Sequence, residues 1–130
     1  MAGFSTHLAH ALINHVFRGS PYSAPAGVYL ALFVADPTDD NVTANEVTGG
    51  WYARQQITSF TAPSAGLTSN SNTLTFPAVT GSAVTITHWG IYDAATTGNL
   101  LASGALSAAT VLNVNDVYVI SAGDLDLTWA

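Results

Sequence analysis

The sequence predicts a mainly β fold, an antiparallel β-sandwich or jelly roll of seven to eight strands with one N-terminal α-helix. Three observations carry that expectation. Short apolar stretches bounded by Gly, Pro, Asn, Asp and Ser recur about every ten residues from residue 28 to residue 129, as short strands do in all-β domains. Residues 84–106, VTITHWGIYDAATTGNLLASGAL, read as a β-hairpin around which the remaining strands are organised. Helical periodicity is confined to residues 5–18. The 130 residues are expected to form a single domain, residues 1–130, that buries about two thirds of its unfolded surface in one core.

The helix has its own punctuation. Ser5 or Thr6 supplies an N-cap hydroxyl, and Gly19 followed by Ser20-Pro21 supplies a stop. At about 100° per residue, Phe4, Leu8, Ala11, Leu12 and His15 share one stripe, which Ala9, Ile13, Val16 and Phe17 widen. The polar face is narrow and consists mainly of His7, His10 and Asn14. The helix is therefore expected to contact two surfaces, its own sheet and a neighbouring subunit.

Beyond a Pro/Gly-rich connection at 20–27, VYLALFVA (28–35) is apolar on both parities, which suits a strand covered on both faces. Asp36-Pro37-Thr38-Asp39-Asp40-Asn41 ends it, and the polar segment to Gly49-Gly50 is a candidate binding loop. Residues 51–60 form the next strand, where Arg54, Gln55 and Gln56 break the alternation and indicate an edge or interface position. Residues 62–72, APSAGLTSNSN, read as a turn region, and 73–76 as a strand limited by Pro77. In the hairpin, Val84 and Ile86 alternate with Thr85 and Thr87 until the phase slips at His88-Trp89. A bulge near Gly90 or burial on both faces accounts for the slip, and burial on both faces is the expectation. Residues 93–99 make the connection and Leu100-Leu101 start the return strand. Val111 and Val114 mark a short strand and 117–120 another. In DLDLTWA, Leu125, Leu127 and Trp129 face one way and Asp124, Asp126 and Thr128 the other.

Composition excludes whole classes of partner. The formal charge is −6, Arg18 and Arg54 are the only strong bases, and there is no lysine. A nucleic-acid partner needs a basic footprint to displace phosphate counterions, and a polybasic membrane anchor needs the same residues, so neither is expected. Charged residues make up 8 % of the chain and hydrophobic ones 48 %, against about a quarter charged in an average domain. Such a surface repels its own copies weakly, and part of it is expected to be buried in a homo-oligomer. Without cysteine there is no disulfide framework, thiolate zinc site or thiol nucleophile. The amino terminus lacks a basic n-region, and His7, His10 and His15 interrupt the apolar residues after it, so no signal peptide is expected. The longest apolar run, 28–35, is far shorter than a membrane span.

The candidate chemical groups form no catalytic pattern. His7 and His10 stand one helical turn apart, but no third metal ligand has diagnostic spacing and HExxH is absent. His15 on the apolar stripe and His88 beside Trp89 read as hydrogen-bonded core or interface residues. Asp36, Asp39, Asp40 and Glu46 offer oxygens to calcium without the EF-hand alternation, and the reading is a solvated turn. Asp124 and Asp126 share a strand face, which they are expected to keep wet rather than flank a glycosidic bond. There is no GxSxG elbow, P-loop or dinucleotide fingerprint. Trp51, Tyr52, Trp89 and Tyr92 are expected in the core or at a subunit interface rather than stacked on sugars. No catalytic, cofactor-binding or metal-binding residue is assigned, and the chain is read as a non-enzyme.

The order HALINHVFRG, YLALFVADPTD, NEVTGGWYARQQITSF, NTLTFPAVT, THWGIYDAATTGNLLASGAL and GDLDLT resembles a family of small virion proteins of tailed bacteriophages. The likeness spans almost the whole chain. Its most specific pieces are Asn45-Glu46-Val47 through Gly50, Tyr52-Ala53-Arg54, Gly90-Ile91-Tyr92-Asp93-Ala94 and Gly98-Asn99-Leu100-Leu101. It implies a structural virion protein assembled in the host cytoplasm and brings no catalytic residues. The expected function is capsid decoration: a cement protein, expected as a trimer, that stabilises the head shell by contacting the major capsid protein or another virion protein. The alternative is a tail-fibre or receptor-binding module whose loops touch host glycan or protein. Leu8, Leu12, His15 and Phe17 on the helix, with Arg54, are the candidate contact residues. Arg54 has a second reading, as internal partner of a buried acid such as Asp93.

Overall fold

Every strand ladder among the described residues is antiparallel. The structure, a computed structural model, describes residues 3–128. Within them the order is β1 (Gly3–Phe4), α1 (Thr6–Arg18), β2 (Val28–Phe33), β3 (Gln55–Ile57), β4 (Leu67–Ser69), β5 (Leu74–Thr75), β6 (Val84–Tyr92), β7 (Leu100–Leu112), β8 (Val119–Ile120) and β9 (Asp126–Thr128). Five strands form the main sheet in the order β1-β7-β6-β2-β3, and β4-β9 and β5-β8 form two small ladders. The main core fills the space between, with Leu30, Leu32, Ile57, Trp89, Ile91 and Leu101 from the sheet meeting Leu74, Phe76, Val79, Ile120 and Leu125 from the opposite side. The result is the expected sandwich-like, mainly β fold with one N-terminal helix.

The described strands number nine rather than seven to eight. The two that the sequence does not announce are β1, only two residues long, and β4, which lies inside the stretch expected as turn. Val111 belongs to the long β7, whereas Val114 lies in the turn beyond it, so the expected separate strand there does not exist. At the C-terminus Leu125 is buried and Leu127 packs against the core while Asp124 and Asp126 are exposed, as the alternation predicts; Trp129 lies outside the described residues.

The phase slip in the hairpin has two causes. Ile86 pairs with Thr110 and His88 with Ala105, so residues 106–109 of β7 stand opposite the single residue Thr87. That bulge transfers the core face from Ile86 to Trp89 and Ile91, three residues before the Gly90 position considered from sequence. Beyond it both faces are buried, as expected. Tyr92 joins Ala31, Phe33 and Leu100 in a second cluster on the opposite face of the sheet. Gly90 and Gly104 make room for the aromatics. A Cβ at Gly90 would stand 2.8 Å from the Phe33 ring, and one at Gly104 would stand 2.7 Å from that of Trp89.

Strand β2 is buried on both faces because the chain after it folds back over the sheet. Val34 N–H donates to the Asn45 carbonyl and Val47 N–H to that of Leu32, each at 2.9 Å. The segment between them carries Asn41, the acceptor of the hydroxyl of Tyr92 in the second cluster, and buried Pro37. Residues 36–50 are thus anchored by buried Pro37 and Val47 and by Asn41, while most of the residues between are exposed. Strand β3 occupies the sheet edge, where Gln55 and Gln56 indicated it.

Helix α1 starts at a buried hydroxyl. Ser5 Oγ accepts from Leu8 N–H at 3.1 Å and donates to the Leu100 carbonyl, so one side chain both caps the helix and ties it to β7. Gly19 ends the helix with φ 70°, the left-handed conformation that closes the last turn. No residue of the helix is fully buried. No helix among the described residues is long and apolar enough to cross a membrane.

Candidate functional site

The ion pair found among the described residues, Arg54 with Glu46, is internal to the fold. Glu46 follows the 3-10 turn Thr43–Asn45 and bridges to Phe33 at the end of β2, while Arg54 immediately precedes the edge strand β3. Arg54 binds the carboxylate in bidentate fashion, Nε to Oε2 at 2.8 Å and Nη2 to Oε1 at 2.7 Å. Its Nη1 donates to the carbonyls of Ala94 at 3.0 Å and Thr97 at 2.7 Å, and its Cζ lies 3.6 Å from the Tyr92 ring centroid. The Tyr52 hydroxyl donates to Glu46 Oε2 at 2.7 Å and accepts from Leu32 N–H at 3.1 Å. Only 5 % of the arginine side chain and 14 % of the glutamate side chain are exposed. Edge and tip of the guanidinium are therefore both engaged within the fold.

Electrostatics at the cluster follow from this packing. Burial would lower the Arg54 pKa, but the hydrogen bonds and charge of Glu46 outweigh it and the pKa rises. Burial, then the Glu46 carboxylate, push the Tyr92 hydroxyl up to about 12, with Arg54 opposing. Tyr52 is driven well above the ordinary phenol range by burial and by its bond to Glu46. In the neighbouring 93–99 connection, burial opposes ionisation of Asp93. The bonds from Asn99 N–H and Nδ2, at 2.7 and 2.9 Å, overcome that, helped by His7, and hold its pKa below the usual carboxylate value. The acid that pairs with Arg54 is thus Glu46, and Asp93 instead organises its own loop, where Gly98 turns the backbone at φ 78°.

The helix residues named as contact candidates divide in two. Leu8 packs against the main core and Leu12 is half-buried. His15 is exposed and its Nδ1 accepts from Tyr22 N–H at 3.3 Å while lying 3.1 Å from the Ser20 carbonyl, which fastens the segment after the helix. Phe17 is 81 % exposed, and Val16 and Ile13 beside it are 65 % and 51 % exposed. Arg54 directs its hydrogen bonds to Glu46, Ala94 and Thr97 rather than to this helix, so the candidates form an exposed apolar face and an internal clasp, not one site.

The family model described as Podophage GP4 fiber I protein gp80 matches residues 3–128. The chain belongs to this family. No curated protein sequence matches it. Membership in the gp80 fibre family makes the chain a structural protein of bacteriophage virions, in agreement with the resemblance carried by its motifs. Those motifs are also where the clasp of this gp80 fibre family member is built, since they contain Glu46, Tyr52, Arg54, Tyr92 and Ala94.

Two of the acidic candidates hold hydrogen bonds within the fold. Asp36 accepts from Thr38 N–H at 2.8 Å and Asp40 from the Thr6 hydroxyl at 2.9 Å. Among the described residues no three His, Asp or Glu side chains converge as metal ligands. Trp51, Trp89 and Tyr92 are buried, and Tyr52 stacks on Phe76 with ring centroids 6.2 Å apart. Asn70 is a residue that sequence reasoning passed over. Buried at the junction of the small ladders, it donates from Nδ2 to the carbonyls of Asn72 and Ser121 and accepts from Leu125 N–H at 2.9 Å. Its sequence signal, one Asn in a Ser/Asn-rich stretch, is indistinguishable from that of a turn residue.

Proposed function

We propose that this protein is a non-enzymatic subunit of a virion fibre, present in several copies that pack against one another and against a further virion protein. The observation that supports this reading best is the match of a fibre-protein family model to residues 3–128. The fold is consistent with such a role. Its one described ion pair is internal, its aromatics Trp51, Trp89 and Tyr92 are buried, and its largest unsatisfied feature is the apolar helix face of Ile13, Val16 and Phe17. A face of that kind stabilises an assembly by burial of apolar surface, at about 25 cal/mol per Å².

The fibre reading takes precedence over head-shell decoration because the family's description names a fibre. Copy number separates them. In purified virions, mass-spectrometric quantification against the major capsid protein is expected to give a few dozen chains or fewer per particle, with antibody label at the tail or a vertex. A ratio near one chain per capsid subunit would overturn the fibre reading in favour of decoration.

A further inference from the structure

We infer that the helix face of one copy docks on the valine-rich turn of the next, in a head-to-tail contact that uses two different patches of the same chain. The inference rests on the reading of the protein as a multi-copy virion part and names its self-contact.

The first patch is Ile13, Val16 and Phe17 with Arg18 beside them. The second lies where β7 turns into β8, with Val111, Val114, Val117 and Val119 all roughly half-exposed. Neither covers the other within one chain, since Phe17 remains 81 % exposed. Single exposed apolar residues need no explanation, but two clusters of large ones on a small domain do.

Charge decides which surfaces meet. Arg54 is internally paired, so Arg18 is the one strong base available at the surface. It donates to the neutral Asn14 side chain at 3.1 Å, and no carboxylate lies within ion-pair distance among the described residues. His7, His10 and His15 sit on the same helix. A twofold contact of helix on helix would offer Arg18 no carboxylate, since α1 carries no acidic residue. The valine turn carries the opposite charge: Asp116, flanked along the chain by Asn115 and Val117, is exposed and its Oδ2 accepts from Asn113 N–H at 2.8 Å. Phe17-Arg18 thus presents an apolar group and a cation side by side, and Asp116-Val117 presents the matching anion and apolar group. The other exposed valines near acids, Val34 and Val42, are two against the four of the turn. Opposite charges at the rim fix register and partner choice, while the apolar centre supplies affinity. A contact between unlike patches closes into a ring when its rotation permits, and extends as a filament when it does not.

The test uses the purified full chain, with mass measured by light scattering after size exclusion and folding checked by circular dichroism. Wild type is expected to assemble. Phe17→Asp and Val117→Asp are each expected to be folded monomers, and their equimolar mixture to form a one-to-one complex, because each supplies the patch the other lacks. Arg18→Asp should weaken assembly about tenfold or more, the equivalent of at least 1.4 kcal/mol, and Arg18→Asp with Asp116→Arg should restore it. A monomeric wild type, an assembled Val117→Asp, or a mixture that stays monomeric would each overturn the inference. None of these results touches the copy number in virions, so the contact and the fibre assignment fail separately.

Discussion

The guanidinium of Arg54 lies 3.6 Å over the ring of Tyr92 while its edge holds Glu46 in two hydrogen bonds. Face and edge of one side chain thereby join three connections that are distant in sequence: the cover after β2, the approach to β3 and the turn between β6 and β7. The pairing is almost dry, which makes its balance sensitive to the loss of either partner.

Removing Arg54 leaves the Glu46 carboxylate buried and frees the carbonyls of Ala94 and Thr97. Arg54→Ala is therefore expected to lower the unfolding free energy by about 3–5 kcal/mol, the usual cost of breaking a buried pair by deleting one partner. Arg54→Lys should recover only part of it, because an ammonium cannot reproduce the bidentate fork. Urea unfolding of the three proteins tests this. Equal stability of Arg54→Ala and wild type would sink it.

Much of this fold was legible because local chemistry and tertiary packing agree. Ser5 and Gly19 delimit the helix at the ends they predicted, and the doubly apolar run expected at 28–35 is buried on both faces over 30–33, while Val34 and Ala35 lie beyond the strand and are exposed. Strand β4 was not legible: Leu67-Thr68-Ser69 has no periodicity of its own and is extended because β9 pairs with it. The clasp was half legible. Arg54 stood out as one of two strong bases, but Glu46 and Asp93 were equally available acids. Only the fold-back of residues 45–47 onto β2 decides between them.

The neutral tyrosines around the clasp give the protein an alkaline limit. The folded Tyr92 pKa is raised to about 12, above its unfolded value of 10.0, so its contribution is fully present below pH 10 and disappears as pH rises through 12. Tyr52 is shifted in the same direction. Stability to urea is expected to be flat through pH 9 and to fall across that window. Tyr92→Phe, which cannot ionise, should start lower through loss of its bond to Asn41 but fall less steeply. Parallel curves for the two proteins would refute the assignment.

Asn70 makes a separate prediction on the opposite layer. Its side chain satisfies Leu125 N–H and the carbonyls of Asn72 and Ser121 at a site that water does not reach. Asn70→Ala should cost about 2–3 kcal/mol, since buried polar groups lose their partners. Hydrogen exchange should localise the loosening to β4, β8 and β9, leaving the amides of β2 and β6 protected. A uniform rise in exchange across the main sheet would contradict a local role.

Gly104 tests how closely Trp89 packs on the sheet. A methyl group there would stand 2.7 Å from Cζ2 and 2.9 Å from Cε2 of a ring that is 6 % exposed. Trp89 belongs to the main core, and overpacking of this kind costs about 1–3 kcal/mol. Gly104→Ala is expected to lower the midpoint of thermal unfolding and to alter the near-ultraviolet circular dichroism of the tryptophans. Gly50→Ala, whose added methyl meets nothing within 4 Å, is the matched control and should stay within about 0.5 kcal/mol of wild type. If the two substitutions behaved alike, β7 would have to yield to the ring, and the close approach of backbone and indole would not be what holds Trp89 in place.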